Sequence, residues 1–189
     1  MRLTLIAVVL FLGCTAVAGA QPQDGRVRAF QEICSTPGAL HRIEEAALGL
    51  GWAVAGAEEG APLARLTRMT AQTIPGVELR VLQREVENGG YFLLLSEARM
   101  PQFMMYTCSI YDLEATEAPD PNSVASWLGS DPVHQEGGGS SRYDWMQPTS
   151  LPRVFSIKLG WVAPGSDVAE IVGYSGYSLG MEGVGPLPH

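Results

Sequence analysis

The sequence predicts an α+β domain in which N-terminal helices pack on one antiparallel sheet of five or six strands, a meander plus a C-terminal hairpin, fastened by one disulfide. Three observations carry this expectation. Apolar residues recur at helical spacing between positions 37 and 50. Alternating and continuous apolar runs, separated by turn residues, fill positions 77–111. Two cysteines, Cys34 and Cys108, remain once an N-terminal export signal is set aside.

Residues 25–34 form a short helix, with Val27, Phe30 and Cys34 on one side. Thr36 then suits an N-cap and Pro37 a first helical position. Leu40, Ile43, Ala47 and Leu50 mark one buried helix face, which Gly49 and Gly51 end. Trp52 to Gly56 reads as a short extended segment. Residues 57–76 fit no period, with a turn near Glu59-Gly60-Ala61-Pro62 and a stop at Pro75-Gly76.

From Val77 to Val86 apolar and polar residues alternate, and Asn88-Gly89 offers the positive φ angles of a tight hairpin. Tyr91 to Leu95 is the continuous apolar run of a strand covered on both faces. Phe103 to Tyr111 makes a third strand carrying Cys108. Pro119 to Ser123 breaks the sheet and opens a brief helix with Val124, Trp127 and Leu128. Gln135 to Arg142, with three consecutive glycines, reads as a mobile loop. In the final hairpin Phe155, Ile157, Leu159 and Trp161 share a face, Pro164 to Asp167 turns the chain, and Val168 to Ser178 returns. One domain is expected over residues 21–182, followed by a flexible Gly/Pro-rich tail, 183–189.

The first twenty residues have the form of a secretory signal. Arg2 precedes an uncharged apolar stretch, and Ala18-Gly19-Ala20 supplies small residues beside the cleavage point. Phe11-Leu12-Gly13-Cys14 is a loose lipoprotein box, so lipidation of Cys14 is the lesser alternative. Cleavage of 20 from 189 residues leaves 169, and because only Arg2 is charged among those removed, the net charge moves from −8 to −9. Such an acidic chain without a basic stripe is a poor nucleic-acid binder and a poor match for anionic membrane surfaces. Eleven arginines against one lysine, Lys158, with abundant Ala and Gly, point to GC-rich bacterial coding. A periplasmic or secreted protein is expected, with no stable membrane insertion after cleavage. In that compartment Cys34 and Cys108 are expected to pair. Their spacing is not the Cys-x-x-Cys of a redox-active pair.

Residue patterns that carry chemistry are sparse. Gly176-Tyr177-Ser178-Leu179-Gly180 satisfies Gly-x-Ser-x-Gly, but that chemistry needs a strand-to-helix turn with an acid and a histidine downstream. Only Glu182 and His189 follow, in a Gly/Pro-rich stretch. His41 falls on a helix and His134 in a loop, without the spacing of a zinc site. Met100, Met104 and Met105 surround Phe103, but adjacent strand residues face opposite ways, so core filling outweighs copper binding. Glu114, Glu117 and Asp120 make an acidic patch whose spacing fits no calcium loop. No metal or cofactor is expected.

Tyr143 and Trp145, beside the Gly/Ser loop, are the candidate partner-binding residues, since aromatics on a mobile loop can anchor a partner. The blander reading folds Trp145 back as a plug over the sheet. The functional expectation is therefore a non-enzymatic exported protein with a binding or accessory role in the bacterial envelope. Its partner would be an envelope protein or a small ligand, and a serine hydrolase using Ser178 is the alternative.

Overall fold

The computed structural model describes residues 24–35, 38–56, 60–86 and 89–187. The expected signal with Cys14, the Thr36-Pro37 cap, Glu59, Asn88 and His189 lie outside the described residues. Among those described, five helices surround a single eight-stranded antiparallel sheet.

Alternation at 78–86 becomes strand β2 (Glu78–Val86), and the apolar run becomes β3 (Gly89–Arg99). β4 (Met104–Asp112) completes the meander, while β1 (Ala53–Val54) adds a two-residue edge to β2. Helix α1 (Gly25–Cys34) lies beneath β4. Its start is capped by Asp24, whose Oδ1 accepts from the Arg26 amide at 2.9 Å. Arg26 also lies 4.2 Å over the Tyr177 ring and 3.5 Å from Asp112. The disulfide Cys34–Cys108 joins the end of α1 to the middle of β4, with Cα atoms 5.6 Å apart. Helix α2 (Leu40–Gly49) has no side-chain cap of its own; the Leu40 amide donates to Glu97 of β3 at 2.7 Å, which ties the helix start to the sheet.

The strand count exceeds five or six, and the excess has identifiable causes. The stretch read as a mobile loop is a hairpin, β5 (Val133–Gly137) and β6 (Ser140–Met146). Gly138 and Gly139, at φ 60° and 76°, form the two-residue turn whose twist suits paired strands. After β4 and helix α4 (Asn122–Leu128) the chain crosses to the far edge as β5. It then returns inward through β6, β7 (Val154–Val162) and β8 (Gly176–Gly185) until β8 pairs with β4. The final hairpin thus joins the meander, giving the order β1-β2-β3-β4-β8-β7-β6-β5.

Two helices were not legible as such. α3 (Ala64–Thr73) lies in the stretch without a period; it has no buried residue, and Thr67, Thr70 and Thr73 bond back to carbonyls three or four positions earlier. α5 (Asp167–Val172) occupies what was expected to be the start of the returning strand. Ser166 caps it by accepting from the Ala169 amide at 3.2 Å, and Gly173 follows its last turn. β8 runs on through Gly185, so the expected tail from Gly183 begins inside the sheet.

Strand residues alternate between two faces. The first face carries Leu82, Leu93, Leu95, Cys108, Ile110, Ile157, Leu159, Leu179 and Met181, which pack with α1, α2 and α4 into one large core. The second face carries a much smaller cluster around Leu63, Leu94 and Tyr111, with Leu66 and Tyr174 against it.

Candidate cleft on the second face of the sheet

Between α3 and α5 the second face is left partly uncovered, as a cleft of about 520 Å³. Strand register dictates its floor. One row runs Leu94, Ser109, Gly180, Lys158 and Asp144 across β3, β4, β8, β7 and β6. The next runs Tyr111, Ser178, Gly160 and Arg142. On the other side lie Ser96, Thr107, Glu182 and Ser156. Gly180 and Gly160 keep this floor low for a steric reason. A Cβ on Gly180 would collide with the Ser109 hydroxyl, and one on Gly160 would come within 2.9 Å of Ser178 Oγ.

The polar groups of the floor are satisfied by one another. Lys158 forms an ion pair with Glu182, which also accepts from Ser156 Oγ at 2.9 Å. The Arg142 guanidinium donates to Asp144 Oδ1 at 2.7 and 3.0 Å. Ser96 and Thr107 share a hydrogen bond of 2.6 Å, and the Tyr174 and Ser178 hydroxyls lie 3.3 Å apart. Burial alone would raise the pKa of Glu182. Hydrogen bonds from Lys158 and Ser156, with the charges of Lys158 and Arg142, outweigh it and hold the carboxyl below its ordinary range. Burial pushes the Tyr174 phenol up, so it stays neutral at physiological pH. Apolar walls complete the site: Leu66 and Ile74 from α3 and its end, Leu79 and Leu94 from the sheet, and Val168 and Val172 from α5.

Comparison with family models, curated proteins and solved structures finds no match. The chemistry of the cleft therefore rests on its own side chains.

The segment Arg142–Met146, expected as a loop, is strand β6, and its alternation splits the residues. Trp145 is buried in the first-face core and donates from Nε1 to the Ser130 carbonyl at 2.9 Å, so it is the plug rather than an exposed anchor. Tyr143 stacks on His134, with ring centroids 4.4 Å apart, and packs against the same core. Their neighbours Arg142 and Asp144 lie on the other face, where Arg142 lines the cleft and Asp144 accepts its hydrogen bonds. Sequence reasoning missed these two because the facing of a strand is settled by its partner, here β7.

Ser178 does lie on the cleft floor, in mid-strand rather than on a strand-to-helix elbow. Its hydroxyl partner is the Tyr174 phenol, whose raised pKa moves it away from the range of a general base. His134 is engaged on the first face, its Nε2 lying 3.2 Å from Ser141 Oγ, and His41 is exposed on α2. The described residues therefore assemble no serine triad. Met104 points into the core and Met105 to the other face. Among the described residues no three His, Cys, Asp or Glu side chains converge as a metal site requires. No helix among them is long and apolar enough to cross a membrane.

Proposed function

We propose that this chain is exported by its N-terminal segment and serves, without catalysis, as a periplasmic or secreted protein of the bacterial envelope. On this reading it binds a small ligand in the second-face cleft. The observation that carries the binding role is the glycine-lowered floor: two strands forgo side chains at Gly160 and Gly180 where they face polar neighbours, leaving about 520 Å³ open. That volume falls in the usual range of small-molecule pockets, roughly 300–1,000 Å³. The disulfide supports the exported half of the reading, because such bonds persist in oxidising compartments.

Native mass spectrometry on protein recovered from its own host tests both halves. The expected mass lacks residues 1–20, keeps the disulfide, and carries a small molecule that is absent from the Ser109→Leu variant, whose side chain would fill the floor. Exposure of the same sample to a fluorophosphonate should leave its mass unchanged. Intact Met1 on a reduced cytosolic form would sink the export reading. A ligand held equally by Ser109→Leu, or none at all, would sink the cleft, and an adduct on Ser178 would restore the hydrolase.

A further inference from the structure

Resting on the reading of the cleft as a binding site, we propose that its ligand is a small amphiphile with one short apolar chain and a head group of zero net charge. The division of the walls argues for the amphiphile. Leu66, Ile74, Leu79 and Leu94 line the α3 side and Val168 and Val172 the α5 side, whereas the polar groups lie on the strand floor between them. α3 has no buried residue although Leu66 packs on the second cluster, so part of its apolar side remains uncovered until something occupies the cleft. Size argues for one chain. At about 520 Å³ the cleft lies in the lower half of the range for small-molecule pockets, roughly 300–1,000 Å³, which leaves no room for two chains beside a head group.

Charge decides the head. Three ionised side chains line the cleft and none is unpaired: Lys158 pairs with Glu182, and Arg142 with Asp144, which is buried beside it. A net anion entering here would lose hydration and meet a carboxylate beside each cation; a net cation would meet the reverse. Neither finds a free counter-charge to offset desolvation. A dipolar or uncharged head suffers no such imbalance. It can place an acceptor near Lys158 or Arg142, a donor near Glu182, and exchange hydrogen bonds with the Ser109 and Ser178 hydroxyls.

The experiment uses four probes sharing a ten-carbon chain: decylphosphocholine, decyl glucoside, decyl sulfate and decyltrimethylammonium. Each is titrated calorimetrically, below its micelle concentration, into the disulfide-bonded protein. The zwitterionic and uncharged probes are expected to bind at least ten-fold more tightly than either charged one, and Ser109→Leu should abolish the binding. Lys158→Gln, which leaves Glu182 uncompensated, should shift preference toward the cationic probe, and Glu182→Gln toward the anionic one; melting curves establish that each variant is folded. Arg142→Gln, which removes the exposed member of the other pair, gives a second variant of the first kind should Lys158→Gln fail to fold. If a charged probe binds the unaltered protein as well as the neutral ones, the head assignment falls while the cleft stands. If no probe binds yet host-derived protein carries a ligand, the amphiphile falls and the binding reading survives. If no probe binds and no ligand is carried, both fall.

Discussion

The strands β2 to β8 send alternate residues to two faces, and the two faces are closed in different ways. On the first, Leu93, Leu95, Ile110, Ile157, Leu159 and Leu179 meet α1, α2 and α4, and most of these side chains lose all contact with water. On the second, the same strands present Leu94, Ser96, Ser109, Ser178 and Lys158, and the covering helices α3 and α5 have no buried residue of their own. Burying an apolar side chain stabilises by about 1.5–3 kcal/mol, so the first face supplies most of the folding free energy. The second face is thereby free to keep a cleft of polar groups that bond one another. On the reading proposed above, stability and recognition are carried on opposite sides of one sheet.

The strongest way to break this division is to release the covalent tie on the first face. Replacing both Cys34 and Cys108 by Ala removes a link between residues 74 apart in sequence. The chain-entropy argument puts the loss at about 4 kcal/mol. Guanidinium unfolding should show that loss, while the folded fraction keeps its affinity for decylphosphocholine. A variant that stays stable but loses the probe would mean that the disulfide shapes the cleft rather than the core.

Truncations on the two faces sharpen the contrast. Ile110→Ala removes a fully buried side chain beside the disulfide and should cost about 4 kcal/mol, at the upper end for such changes because the neighbours are pinned. Leu79→Ala removes a half-buried wall residue of the cleft and should cost about 1 kcal/mol, because its site is already partly open to water. Chemical denaturation of the pair measures the ratio. Equal losses would mean that the second face is as tightly packed as the first.

What could be read from the chain follows the same division. The meander and the disulfide were legible because the first face writes itself as alternation and as cysteines with partners. β5 was not, since all its residues are exposed and a strand without a buried side leaves no period. α3 failed for the same reason, lacking any buried residue, although α5 carried a signal in Ser166 and Gly173. At the site, Gly-x-Ser-x-Gly drew attention to Ser178, but these glycines answer to packing. Gly176, at φ 102°, passes against the Asp112 carbonyl, and Gly180 makes room for Ser109. The segment 142–146 was singled out for Tyr143 and Trp145, while the residue that lines the cleft is Arg142. One step of register separates the two readings, and only the neighbouring strand supplies it.

The smallest effect separates charge from packing. Glu182 is held below its ordinary value of 4.5: burial would raise it, but the hydrogen bonds of Lys158 and Ser156 and the charges of Lys158 and Arg142 prevail. A carboxyl whose folded pKa lies below its unfolded one binds a proton less readily in the folded chain. Its contribution is therefore present above about pH 4.5 and lost as pH falls through the lower folded value. Since the pair is about a third exposed and screened by solvent, Glu182→Gln should cost about 1 kcal/mol or less at pH 7. That cost should shrink as the pH is lowered and vanish below the folded pKa, where the unaltered protein also carries a neutral group at this position. The Ile110→Ala cost, arising from apolar packing, should be the same at both ends of the range. Urea unfolding of the two variants at pH 7 and pH 3 reads the difference. A Glu182→Gln cost that does not change with pH would mean that this side chain acts by packing, as the residues of the first face do.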